Sequence, residues 1–421
     1  MPTRRHLAAG GLASAVLLLA VSAGCGTVPN ASGSTGETPA PGTSSSQPAA
    51  SPSPSATPTT PTTTTPTTTL SANVDDGADG VKVSTLVTAK ASQGTLSKVE
   101  LSYKYTDTKG KAQKGNLEGS MNKAKTAWTA GDRLEPSGTY RLTMTGTSKT
   151  GESTTQKTSF TTQSLALSKQ VFPEIYPLDG STVGVGMPAI VRFDTPVADK
   201  KSIEKNLHVT TSPKQTGSWR WYGNQEVHWR PKSYWKPGTK VVVDADINGV
   251  SAGNGTYGQK SSKTDFKVGR KFLIKVNLKS YSATVYKNDK KVRSIPVTGG
   301  KAGWRTRSGT KLIMDKEYNK IMTSEMIGAK EKYRLKAAYA MRLTNSGEFL
   351  HSAPWSTGSQ GRANVSHGCV GMSVANSRYL IENTLIGDPV VTTGSSRGVE
   401  AGNGYSDWNA SYTEYKKGSA L

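Results

Sequence analysis

The sequence predicts a mainly β protein: two small β-sandwiches in succession, then a third β-rich unit with one notable helix. Three observations lead there. Apolar residues alternate with polar ones in runs such as Val99, Leu101, Tyr103, Tyr105 and Tyr140, Leu142, Met144, the period of half-buried strands. Turn signals such as Pro136-Ser137-Gly138 and Lys149-Thr150-Gly151 separate the runs at short spacing, as in a sandwich. Hydrophobic residues make up only 34% of the 421 and mean hydropathy is −0.50, which excludes a polytopic membrane protein.

The first segment, residues 1–25, reads as an export signal. Arg4 and Arg5 precede an apolar stretch from Leu7 to Ala23, and small residues lead to Cys25. The stretch is short for a spanning helix, and no basic flank follows until Lys82. Ser22-Ala23-Gly24-Cys25 resembles a bacterial lipobox, which makes Cys25 the expected lipidation site. Residues 26–70 follow as a tether: from Pro41 to Leu70 there are 7 Pro, 6 Ser and 11 Thr. Such a composition cannot bury enough surface to offset its ordering entropy, and it reaches roughly 40 to 140 Å according to stiffness. The expected location is therefore outside the cell, at the outer face of the cytoplasmic membrane in the wall. The net charge of +23 gathers anionic partners, and export sets nucleic acid aside.

The first sandwich is placed at 71–165 and the second at 166–270, with Ile190 to Phe193, the strand Val241 to Val243 and clustered Trp219, Trp221 and Trp229. Those indoles are expected to fill core rather than form a ligand platform. The third unit spans 271–395. It opens on the alternating Ile274, Val276 and Leu278, turns at Asn288-Asp289-Lys290, and carries a helix with Ser373 as N-cap that ends near Gly387-Asp388-Pro389. In the tail, 396–421, Trp408, Tyr412 and Tyr415 stand at i, i+4 and i+7, the spacing of a short helix docked on a neighbouring domain.

Reactive residues concentrate in one window. With Cys25 lipidated or removed, Cys369 is the only thiol left, so it has no partner for an internal disulfide. Two of the five histidines, His351 and His367, lie within 18 residues of it. A thiol is a weak nucleophile until a base takes its proton. Gly368, immediately before the thiol, lets the backbone turn so that successive N–H groups converge on an oxyanion. His351, His367 and Cys369 lack a fourth His or Cys for zinc, and no metal or other cofactor is expected.

The run His351-Ser352-Ala353-Pro354-Trp355, with Ser366-His367-Gly368-Cys369 after it, resembles the bacterial L,D-transpeptidases, in particular the lipid-anchored actinobacterial type. The resemblance implies two immunoglobulin-like β-sandwiches followed by a β-rich L,D-transpeptidase catalytic domain with one notable helix. It makes Cys369 the nucleophile toward a tetrapeptide stem, with release of D-Ala and formation of a 3→3 crosslink to a second stem. His351 becomes the general base, and the Ser352 carbonyl fixes its tautomer. The N–H groups of Gly368 and Cys369, with His367, would hold the oxyanion, while Tyr333, Ser346, Gly347 and Ser366 would line the donor cleft. Carbapenem-type β-lactams are the implied inhibitors. Two departures stand out: Gly371 occupies a position where many members have Asn, and Arg307 replaces a common Pro.

Other classes remain open on the residues alone. A Cys-dependent wall peptidase or amidase would use the same dyad with water as acceptor. A wall-binding lipoprotein would need neither His351 nor Cys369. His367 either orients its loop or touches substrate, and the basic residues Lys330, Lys332, Arg334 and Lys336 fit a solvated face better than a wall-polymer contact.

Overall fold

The computed structural model describes residues 67–421. Cys25, the export signal and the tether up to residue 66 lie outside the described residues. Among those described, no helix is long and apolar enough to cross a membrane.

The first sandwich packs one sheet, ordered Thr69–Ala72, Thr88–Ser92, Ala127–Ala130, Gly119–Met121, against another, ordered Ala112–Leu117, Gly94–Thr106, Thr139–Ser148, Ser153–Thr161. Alternation dictates which side of each strand faces inward: Tyr140, Leu142 and Met144 are buried on one side of their strand and meet Leu96, Leu101, Trp128 and Phe160. The tether stops earlier than the composition implies. Thr69 and Leu70 already pair with Ser92 and Ala91, because Leu70 is a large apolar side chain that the core can bury.

The second sandwich has sheets ordered Pro173–Tyr176, Ala189–Phe193, Glu226–Pro231, Gly217–Tyr222 and Ser181–Val183, Ser262–Val268, Lys240–Ala245, Leu207–Ser212. Trp219 and Trp229 are buried in its core, and Trp229 stacks on Trp235 with ring centroids 5.4 Å apart. Trp221 is half-buried against Phe193.

The third unit holds two sheets. One has five strands, ordered Lys290–Pro296, Ser282–Lys287, Phe272–Asn277, Pro389–Thr393, Gly309–Leu312; the other has four, ordered Asp315–Thr323, Arg334–Arg342, Phe349–Ser352, Val370–Met372. Asn288 and Asp289 both take positive φ between the paired Lys287 and Lys290, the geometry of a tight two-residue hairpin. The helix Val374–Asn383 starts where Ser373 accepts the Asn376 N–H. It buries Leu380 and Ile381 with Leu350, Val370 and Met372, and so backs the strands that carry the site. It ends at Asn383 rather than near Gly387, because buried Asp388 draws the chain into a turn, accepting from Leu385 N–H and pairing with Arg270.

The tail docks on the second sandwich, but not as one helix. Trp408 lies in a separate turn, Asp407–Asn409, and Ser411 caps a new helix at Tyr412–Lys416. The spacing still matters: the Arg230 guanidinium lies 4.5 Å from the Trp408 ring centroid, 5.7 Å from that of Tyr412 and 4.3 Å from that of Tyr415. Buried Asp407 meets His228 Nδ1 at 2.9 Å and accepts from the Tyr415 hydroxyl at 2.9 Å.

Candidate active site

The strand Phe349–Ser352 runs antiparallel to Arg334–Arg342 and parallel to Val370–Met372, with Leu350 opposite Val370 and His351 opposite Gly371. Paired residues share a face, and so do residues two apart. His351 and Cys369 therefore point to the same side. That side is a cavity of about 570 Å³ lined by both residues and by Tyr333, Ser346, Gly347, Trp355, Ser366, His367 and Gly371. Met322, Met326, Ile327 and Phe349 add apolar surface to this lining, beside the charged Lys320 and Arg342.

His351 Nδ1 lies 2.8 Å from the Ser352 carbonyl oxygen. A carbonyl only accepts, so Nδ1 carries the proton and Nε2 keeps its lone pair. The residue is buried, with 4% exposure, and its ring stacks on Trp355 at 5.8 Å. Burial pulls its pKa down to about 4. Burial also pushes the Cys369 thiol up to about 12, against the Phe349 N–H, Lys311 and Arg342, which favour the thiolate; Glu348 opposes it. Both shifts run toward the neutral forms, a thiol beside an unprotonated imidazole. The S–H donates to the Gly347 carbonyl at 3.5 Å.

The Ser366–Cys369 turn is tied to itself. Ser366 Oγ donates to the Cys369 carbonyl at 2.6 Å and accepts the Gly368 N–H at 3.1 Å. The Gly368 amide, expected among the oxyanion donors, is thus bonded to Ser366 Oγ in this structure. Gly368 also makes the turn, with φ at +122°, a conformation side chains resist. The amides of His367 and Cys369 find no acceptor among the described residues.

His367 is an anchor for the loop that precedes residue 334. Its Nε2 meets Glu331 at 2.5 Å, its ring stacks on Tyr333 at 5.3 Å, and Trp304 packs edge-on at 5.2 Å. Lys301 joins Glu331 at 2.7 Å. Ser346 reaches the cavity, yet its N–H and hydroxyl are both bonded to Asn403 of the tail, at 3.0 and 2.9 Å. Gly371 exchanges backbone hydrogen bonds with Thr298. No group of three His, Cys, Asp or Glu side chains among the described residues is placed to hold a metal.

Sequence reasoning missed Trp304, Glu331 and Arg342, and also a buried ion cluster behind the nucleophile. Lys311 Nζ meets Glu348 Oε2 at 2.9 Å, and Arg307 meets Glu348 Oε1 at 3.1 Å. The one available signal was the charge at Arg307 where the resemblance calls for Pro.

The comparisons with known proteins agree with this geometry. Residues 271–392 match the family described as the L,D-transpeptidase catalytic domain, and residues 78–251 match the bacterial Ig domain, one match running across both sandwiches. The chain is 33% identical over 356 residues to L,D-transpeptidase 2 of Mycobacterium tuberculosis, covering 83% of this chain and 85% of that one. It is 30% identical over 355 residues to L,D-transpeptidase 5 of the same organism, covering 82% and 76%. Among solved structures, an L,D-transpeptidase from Mycobacterium smegmatis aligns at TM-score 0.45 and 32% identity, over 53% of this chain and 99% of that one. An L,D-transpeptidase solved in complex with imipenem aligns at 0.47 and 33%, over 52% and 97%. A Cys–His site on this fold defines an acyl-transferring enzyme, and the chain belongs to the L,D-transpeptidase family.

Proposed function

We propose that this L,D-transpeptidase joins peptidoglycan stems by 3→3 crosslinks, working outside the cell from a lipid anchor at Cys25. The observation that carries the catalytic part is the His351 tautomer: with Nδ1–H given to Ser352 O, Nε2 is the basic atom and shares the cavity with Cys369 Sγ. The thiol passes its proton to Nε2 as sulfur attacks the carbonyl of the L-centre of diaminopimelate in a tetrapeptide donor. The oxyanion is received by the amides of His367 and Cys369. His351 returns the proton to the departing D-Ala amine, leaving a thioester on Cys369. The side-chain amine of a second stem then loses a proton to His351, attacks the thioester and restores the thiol.

The apolar surface of Met322, Met326, Ile327 and Phe349 supports amine over water as acceptor, since it offers water few partners. A carbapenem would enter the same cavity and acylate Cys369 through its strained carbonyl. The anchor rests on the sequence from Arg4 to Cys25 and on the Pro/Ser/Thr-rich tether behind it. The test is product analysis with a tetrapeptide donor, with and without an amine acceptor. Crosslinked dimer is expected with the acceptor present. A product restricted to the hydrolysed tripeptide would move the assignment to a wall peptidase.

A further inference from the structure

Glu348 is buried and sits between two residues that matter. Gly347 before it accepts the thiol proton, and Phe349 after it begins the strand of His351. Its carboxylate is fully engaged: Oε1 accepts from Arg307 N–H and the Arg307 guanidinium at 3.0 and 3.1 Å, and Oε2 accepts from Lys311 Nζ at 2.9 Å. Lys311 is only 1% exposed, with its remaining bond to the Arg307 carbonyl at 2.8 Å. On the outer side Arg307 Nε meets Glu400 at 2.5 Å. Glu400 and Ser346 both accept from Asn403 Nδ2, at 2.8 and 2.9 Å. The bonds close a ring around the segment 346–348, joining it to the C-terminal tail.

A buried ion cluster of this kind is poor evidence for stability, because desolvation offsets most of the attraction. What it does supply is a fixed geometry. Glu348 Oε1 is also among the three atoms nearest to where a side chain on Gly368 would point, at 3.8 Å, so the carboxylate lies behind the nucleophile turn as well. We propose that Glu348 is a positioning residue for Cys369, held by Lys311 and Arg307 so that the Gly347 carbonyl and the thiol stay in register and the charge beneath the thiol stays balanced. The inference rests on Cys369 being the nucleophile.

The charged and titratable groups around the thiol are Lys311, Lys320, Arg342, Glu348, His351, Tyr333 and His367. Of these, Glu348 disfavours the thiolate while Lys311 and Arg342 favour it. Removing the Glu348 charge should therefore ease thiol ionisation, yet release the Gly347 carbonyl. The two effects separate in a pH profile, which a merely structural role would leave in place.

The experiment follows Cys369 across pH 6–12 in the full chain, Glu348→Gln and Glu400→Gln by two readouts of intact mass: alkylation by iodoacetamide, whose pH profile reports the thiolate, and acylation by imipenem. Glu348→Gln should lower the midpoint of the alkylation profile by about one pH unit and lower imipenem acylation per thiolate by about tenfold. Glu400→Gln leaves the core filled and should move the midpoint in the same direction by less, so it decides the matter if Glu348→Gln does not fold. A midpoint unchanged in folded Glu348→Gln, or in Glu400→Gln when that variant alone folds, overturns the positioning role. Absence of an imipenem adduct on Cys369 in the unaltered protein overturns the nucleophile reading and this inference with it.

Discussion

Gly371 faces His351 across the parallel pair, and a methyl group on Gly371 would stand 3.8 Å from the imidazole Nε2. The same methyl would lie 3.0 Å from the Ala353 methyl and 3.1 Å from Thr298 Cγ2, closer than ordinary packing allows. The missing side chain keeps the basic nitrogen open to the cavity. Gly371→Ala should therefore cost about 1 kcal/mol of stability from overpacking, seen as a lowered Tm, and should slow acylation. A variant as stable and as fast as the parent would show that the strand accommodates the methyl freely.

His351 and His367 are expected to fail differently. His351→Ala removes the general base and should slow acylation by a carbapenem about 100- to 10,000-fold. Since burial raises the thiol pKa to about 12, the remaining rate should climb about tenfold per pH unit through the alkaline range, following thiolate. His367→Ala releases Glu331 and Tyr333 and should weaken donor binding, raising KM more than it lowers kcat. Pre-steady-state acylation with both variants distinguishes them, and the reverse ranking would exchange the two roles.

The tail latch gives a stability window with a definite sign. Burial alone would lower the His228 pKa, but Asp407 and Glu226 more than offset it, raising it to about 9. A group whose folded pKa is raised contributes fully below its unfolded value and loses that contribution as pH rises through the folded one. Burial alone would raise the Asp407 pKa, but His228 and two tyrosine hydroxyls hold it below the ordinary carboxylate range, so its contribution is lost in acid. Tm should be highest between about pH 5 and the ordinary histidine pKa of about 6.5, and should decline from there as pH rises through about 9. Asp407→Asn leaves His228 short of a carboxylate and should destabilise the protein by about 3 kcal/mol, with a weaker alkaline decline. A thermal series from acid to alkaline pH measures both.

Cys25→Ser should release the protein from the membrane fraction or block signal processing. Unchanged membrane partitioning with normal cleavage would replace the anchor with a simple secreted form.

Period-two alternation made the sandwich strands legible, since Tyr140, Leu142 and Met144 need only a sheet face to bury against. The Ser366–Cys369 run made the nucleophile turn legible because its bonds are local. Lys311 and Glu348 are 37 residues apart in sequence, and nothing local announces their pairing. The shared face of His351 and Cys369 depends on a parallel register, which single strands do not encode. The tail failed as one helix for a local reason, Ser411 capping a new one, while its docking survived because Arg230 gathers three rings. The bond from the Gly368 amide to Ser366 Oγ was not legible, because it depends on a serine rotamer that sequence does not encode.

The most direct measurement follows the covalent intermediate itself. The protein and its Cys369→Ala variant are incubated with a tetrapeptide stem and an amine acceptor, and intermediate and product are read by mass. The unaltered protein should carry an acyl group on Cys369 with loss of D-Ala and should yield crosslinked dimer, while the folded variant yields neither. Crosslinked product from Cys369→Ala would contradict the account.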